Sequence, residues 1–289
     1  MVSVNEKDST FIGKPAQSEI TIRELLTHSS GIGYGFINPR LKLVYDKAGI
    51  PDGFVTTHAI LGDKIKLLAK MPLLHEPGEK FTYGLNMDVL GYLVEVISHK
   101  SFKMYLQENI FDPLGMKDTY FYLPEDKVNR LAKVYADTPE GLSESKTTAY
   151  NYPFEGGKSY YSGGAGLQST ALDYAKFLQM LLNGGSYNGH QILSRKTVDL
   201  IAMNQLGNLF GVNDFGLGFG ITTKKGNAEI LGSAGNYWWG GYFSTSFWVD
   251  PKEDLIAVLM VQDFPAFHGD IHKKFQVLTY QSLTGDKKD

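Results

Sequence analysis

Two short stretches carry residue types that could do chemistry. The first is FTYGLNMDVLG, residues 81–91, in which Tyr83 stands just ahead of a run that reads as the opening turns of a buried helix. A phenol at that place would sit in the positive potential of a helix N-terminus, which favours an anion. The second is WWGGY, residues 238–242. Glycines at the start of a strand let backbone approach a ligand closely and present its amides to a developing negative charge. By themselves the two stretches point only to a cleft, and a packing role explains Tyr83 as readily.

Other constellations exclude more than they suggest. His268 and His272 stand four apart with Asp270 between them, but no Glu follows the first His as in a metalloprotease helix, so no metal is expected. His28, in LLTHSSG, reads as a residue at a helix C-terminus, near free carbonyls. GLGFG and GGAGLQ are glycine-rich, yet neither follows a strand and opens a helix as a dinucleotide site does, and no cofactor is expected. No G-x-S-x-G elbow is present, so spacing does not select a Ser–His–Asp triad. Cysteine is absent, which removes disulfides, thiolate metal sites and a Cys nucleophile.

Net charge is −3 over 289 residues, and no Lys/Arg-rich block occurs, which argues against nucleic acid as a partner. No apolar run approaches the ~20 residues needed to span a bilayer. The opening residues MVSVNEKDST lack the apolar stretch of a signal peptide, and the compartment stays open.

These residues need elements to hold them. Thr21 and Glu24 make a capping-box pattern at the head of a short helix that stops at Ser29-Ser30-Gly31. Residues 31–55 read as a loop with turn signals at Asn38-Pro39 and Pro51-Asp52-Gly53. A helix fits 57–70. After Tyr83, Val89, Leu93, Val96 and Ile97 predict a helix buried on much of its circumference. Another helix fits Ser101 to about Asn109, and 118–165 carries no clear period. Residues 169–183 form the clearest helix, with a capping box at Thr170 and Asp173 and a stop at Gly184-Gly185. A short helix fits 194–203.

Strands follow at 215–223, 242–250 and 255–262, the last continuously apolar as for a strand covered on both faces. Ile271, Phe275 and Leu278 predict a closing amphipathic helix. No linker divides the chain. The pattern is one α+β domain over 1–289, mainly helical over 20–185 and built of sheet and C-terminal helix over 186–289.

Five segments in order, ITIRELLTHSSGI, FTYGLNMDVLGYLVEVIS, IFDPLGMKDTYF, GGAGLQSTALDYAKFLQMLLNGG and WWGGYFSTSFWVDPKEDLIAVLMVQ, resemble the serine β-lactamase-like hydrolases. That family comprises class C β-lactamases, penicillin-binding proteins and family VIII carboxylesterases. The resemblance implies a β-lactamase/transpeptidase-like fold, an antiparallel sheet flanked by helices with an all-helical region. It identifies Tyr83 as the second-motif tyrosine, a proton shuttle. It places Trp239-Gly240-Gly241 at the third motif, Lys-Thr-Gly in penicillin-recognising members, and gives Tyr242 the backbone N–H of the oxyanion hole. Leu85 occupies the usual Asn position two residues after the tyrosine, which leaves Asn86 as the candidate substrate-binding amide. The missing Lys favours a small ester over a β-lactam.

The family's nucleophile motif, Ser-x-x-Lys, belongs upstream of ITIRELLTHSSG, and nothing there fits it. Ser143–Lys146 matches literally but lies in an irregular polar stretch, as a decoy would. The resemblance therefore implies an N-terminally truncated chain that lacks strands and the nucleophile helix. It also implies an exposed sheet edge through which chains could self-associate. An ordinary tyrosine has a pKa of about 10 and is ionised roughly one time in a thousand at neutral pH, and the lysine that would lower that value is missing. The expected function is acyl-enzyme hydrolysis of small esters, silent in this chain for want of its serine. The alternatives are a non-catalytic fragment or relative that binds a ligand or partner chain, and a penicillin-binding or β-lactamase-type enzyme.

Overall fold

The computed structural model describes residues 3–266 and 270–285. The chain packs into two units. The first comprises Met1–Glu108, Tyr120–Val128 and Thr147–Gln168, and the second Asn109–Thr119, Asn129–Lys146 and Ser169–Asp289.

In the first unit, β1 (Ser3–Asn5) and β2 (Thr10–Ile12) form an antiparallel ribbon ahead of α1 (Ile22–Leu26), α2 (Pro39–Ala48), α3 (Leu61–Leu68), α4 (Asn86–Ser98) and α5 (Phe102–Leu106). The capping box is present: the Thr21 N–H donates to Glu24 Oε2 at 2.7 Å, and the Glu24 N–H donates to Thr21 Oγ1 at 3.2 Å. Such reciprocal caps satisfy two orphan donors and contribute about 1 kcal/mol.

Helix α2 lies where a loop is expected. Asn38 accepts from the N–H groups of Arg40 and Leu41 at 3.1 and 3.0 Å, and Pro39 takes the first helical turn, where its missing N–H costs nothing. Leu41, Val44 and Tyr45 bury one face of this helix, and the core gathers Leu41, Tyr45, Leu61 and Leu85. Helix α4 is less enclosed than its pattern predicts. Asn86, Asp88 and Gly91 of its first half are buried, while Val96 and Ile97 are 50% and 68% exposed.

The second unit contains α6 (Asp112–Leu114), β3 (Tyr135–Thr138), β4 (Gly141–Glu144), α7 (Ala171–Leu182), β5 (Ser186–Tyr187), β6 (His190–Gln191), α8 (Arg195–Ile201), β7 (Asp214–Phe215), β8 (Gly220–Ile221), β9 (Tyr237–Gly240), β10 (Ser246–Asp250), β11 (Leu255–Leu259) and α9 (Ile271–Gln281). Its sheet is antiparallel, in the order β11-β10-β9-β8-β7. Trp248 sits opposite both Trp238 and Ala257.

Helix α7 packs on β11 and β10, with Tyr174 5.0 Å from Phe247. Its Thr170 hydroxyl caps the Asp173 N–H at 3.2 Å, but the Asp173 carboxylate does not complete the box. It accepts instead from the Asp118 N–H at 2.6 Å and from Lys176 Nζ at 2.7 Å. Strand β11 is an edge strand. Helix α7 packs on one face of it and α9 on the other, the covering expected for this strand; Ala257 is buried and the other four residues are half-buried. Helix α9 docks through Phe275 and Tyr280, whose rings lie 5.3 and 6.0 Å from Trp248, and Ile271 and Leu278 face outward. The Tyr280 hydroxyl donates to buried Asp250 at 2.6 Å. Among the described residues, no helix is long and apolar enough to cross a membrane.

Candidate active site

Tyr83 stands three residues before Asn86, the first residue of α4, just outside the helix as the sequence predicts. Its backbone is fixed on both sides. The Thr82 N–H donates to the His28 carbonyl at 2.7 Å. Gly84 presses so closely on the chain at 32–33 that an added Cβ would lie 2.2 Å from the Ile32 carbonyl oxygen. The half-buried Tyr83 ring is flanked by His28, with centroids 4.7 Å apart, and by Tyr34 at 5.2 Å. Phe36 continues the row, 4.9 Å from Tyr34. The backbone of this segment is held by Asp52, which accepts from the Gly35 and Phe36 N–H groups at 2.8 and 2.9 Å. Burial raises the Asp52 carboxyl despite those two donors.

Asp88, in the first turn of α4, is fully buried. Its Oδ1 accepts from the Tyr160 hydroxyl at a long 3.3 Å. Ser162 and the Gly164 N–H also face the carboxyl, although Oδ2 has no well-aligned partner. Burial pushes the carboxyl up to about 6, outweighing these donors. Tyr34 and Tyr160 are both pushed upward, first by burial and then by the Asp88 charge, so both stay protonated.

Asn86 requires a correction. A substrate-binding amide must be accessible, and Asn86 is 0% exposed. Its Oδ1 accepts from Ser30 Oγ, and its Nδ2 lies 3.0 Å from His28 Nδ1 and donates weakly to the Ile32 carbonyl at 3.4 Å. The amide is consumed inside the unit, by Ser30, His28 and the Ile32 carbonyl.

The other candidates belong to the second unit. The paired glycines close β9 and enter its hairpin to β10, rather than opening a strand. The Gly241 N–H donates to the Thr245 carbonyl at 2.8 Å, so that amide serves the hairpin. A Cβ at Gly241 would meet Thr245 Oγ1 at 2.0 Å, which explains the glycine. Gly240 is exposed, and Tyr242 is 37% exposed with its ring 4.2 Å from Phe264. Half-buried Trp239 stacks on Trp238 at 5.9 Å and meets Phe210 and Phe215 at 6.3 and 5.4 Å.

Ser143 lies exposed on the β3–β4 ribbon, opposite Ala136, and Lys146 is exposed after it, in no helix. His272 Nε2 bonds the Ser244 carbonyl at 2.7 Å, and His268 lies outside the described residues. His28 follows the C-cap of α1, near the helix C-terminus as expected, and its ring lies against Asn86 and Tyr83. Sequence reasoning passed over Tyr34, Asp88 and Ser30. An Asp in the first turn of an otherwise apolar helix was the one available signal.

This α+β fold, with a tyrosine ahead of a helix and a Trp-Gly-Gly hairpin on an antiparallel sheet, has clear relatives. The beta-lactamase family model matches residues 8–281, and the chain belongs to that family of serine hydrolases. Protein Rv1367c of Mycobacterium tuberculosis is 32% identical over 87% of this chain and 64% of its own length. Esterase EstB of Burkholderia gladioli is 30% identical over 83% of this chain and 64% of its own. Among solved structures, EstCE1, described as a hydrolase with promiscuous acyltransferase activity, superposes with a TM-score of 0.79 at 26% identity, covering 90% of this chain and 72% of that one. The chain thus spans about 64% of the length of the first two relatives.

Proposed function

We propose that this chain carries the tyrosine and oxyanion-hole side of a carboxylesterase that hydrolyses small esters through an acyl-enzyme. The observation that carries the reading is the seating of Tyr83 outside the N-terminus of α4, flanked by His28 and Tyr34. A phenol so fixed can pass a proton between nucleophile and leaving group once a serine and a lysine stand beside it. The likeness to an esterase and to a hydrolase with acyltransferase activity supports an ester substrate. So does the third motif, where Trp239 replaces the lysine that would hold a β-lactam carboxylate. Tyr242 supplies the oxyanion-hole N–H, and Trp239 and Gly240 line the substrate beside it.

The chain by itself gives no acylation burst with p-nitrophenyl butyrate. A form lengthened at its N-terminus to carry a Ser-x-x-Lys helix gives one. In that form Tyr83→Phe lowers kcat by roughly 10²–10⁴-fold, the range of a lost acid–base group. Undiminished turnover in that variant, or faster turnover of nitrocefin than of the ester, overturns the reading.

A further inference from the structure

We infer that His28 is a positioning residue for Tyr83, held as a neutral imidazole by Asn86 and Ser30. The inference rests on the reading of Tyr83 as the proton shuttle and goes beyond it to what orients the phenol.

The backbone supplies the first argument. His28 adopts φ +53°, in the left-handed region, immediately after the C-cap of α1. Glycine or asparagine normally takes that place, and other residues there cost on the order of 1–2 kcal/mol. A buried histidine held in a strained conformation needs a reason in its side chain.

The polar groups supply the second, because they leave one arrangement. Asn86 Nδ2 donates to the Ile32 carbonyl at 3.4 Å, which turns Oδ1 toward Ser30, and the Ser30 hydroxyl, accepting the Ile32 N–H at 3.1 Å, donates its own proton to that Oδ1. With Oδ1 committed, the NH₂ end of Asn86 faces His28, 3.0 Å from Nδ1. An amide nitrogen only donates, so Nδ1 must accept, and the imidazole carries its proton on Nε2. A cationic ring would set N–H against N–H, and burial also holds the imidazole pKa down to about 3. His28, Ser30 and Asn86 are each at most 3% exposed, so no water competes for these bonds.

The third is where this fixed ring lies. It meets Tyr83 at 4.7 Å and 57°, and Phe81 at 5.9 Å and 66°, while its carbonyl holds the Thr82 N–H. A rigid, uncharged plane thus flanks the phenol. It sets the orientation of Tyr83 and adds no cation to promote its ionisation.

The decisive variant is His28→Asn, because asparagine tolerates the left-handed backbone but removes the ring. The readout is the Tyr83 resonance in protein labelled at the tyrosine ring carbon bearing oxygen, identified by its disappearance in Tyr83→Phe. The Tyr83 signal is expected to shift and broaden in H28N, while those of Tyr174 and Tyr237 in the second unit hold still. An unmoved Tyr83 signal in folded H28N overturns the inference. If H28N does not fold, Ser30→Ala carries the test, since it keeps the ring and frees Asn86 to turn. A mixed His28 tautomer with a displaced Tyr83 signal supports the inference, and an unchanged Tyr83 signal overturns it. Failure of the proton-shuttle reading would be seen separately, as undiminished ester turnover in the lengthened Y83F form.

Discussion

Replacing Asp88 by Asn should raise stability at pH 7 and leave it unchanged near pH 3. The carboxyl is fully buried, and its folded-state value of about 6 lies above the ordinary carboxylate range. A carboxyl of this kind binds its proton more tightly in the folded chain than in the unfolded one. Its contribution is most favourable below about pH 4 and declines as pH rises through about 6. Ionised at pH 7, it costs up to about 3 kcal/mol. The amide removes that cost, less what it loses where its NH₂ meets the Gly164 N–H.

His28 provides the opposite slope. Its folded-state value of about 3 lies below that of an exposed imidazole, so its contribution is complete above about pH 6.5 and fades as pH falls toward 3. Between pH 4 and 6 the two groups offset one another in the parent. D88N should therefore lose stability more steeply on acidification than the parent, and H28N less steeply. Urea midpoints at pH 3, 5 and 7 measure this. An Asp88→Asn shift of equal size at pH 3 and pH 7 would show that the carboxyl is not the source.

Gly84→Ala should be as damaging as a large core deletion, although it adds a single methyl. That methyl would stand 2.2 Å from the Ile32 carbonyl oxygen and 2.6 Å from Gly33 Cα. The contacts are backbone, so no side chain can turn away. The segment cannot retreat easily either, because the Ile32 N–H is held by Ser30 Oγ and its carbonyl receives Asn86 Nδ2. The expected loss is about 3 kcal/mol or more, at the upper end for overpacking. That corresponds to a fall of roughly 6–12 °C in Tm for a chain of this size. The control is Gly13→Ala, where the new methyl meets nothing within 4 Å and Tm should hold. Equal melting of G84A and the parent would remove the tight crossing behind Tyr83. The Tyr-Gly pair is thus one device, in which the glycine allows the crossing that seats the phenol.

What the sequence made legible was local or ordered along the chain. The α1 capping box could be read because both partners lie within three residues. The α+β class could be read because helices precede a run of strands and a closing helix along the chain, and the family because five segments keep their order. Helix α2 was hidden because Asn-Pro signals a turn as readily as a cap followed by a first-turn proline, although Leu41, Val44 and Tyr45 kept helical spacing. The polar support of Tyr83 was not legible at all. His28 and Asn86 are 58 residues apart and Asp88 and Tyr160 are 72, and no spacing rule links residues that meet only through the fold. Asn86 was misread for the same reason, since a motif position carries no record of burial.

Trp238, Trp239 and Trp248, the three tryptophans of this chain, stand on β9 and β10. Light absorbed only by indole therefore reports on the second unit, and the first, which holds Tyr83, is dark at that wavelength. Tyrosine absorbance sees both. One sample thus yields two optical records of unfolding. A lag between them would date the loss of the sheet apart from that of the helical unit, with no label attached.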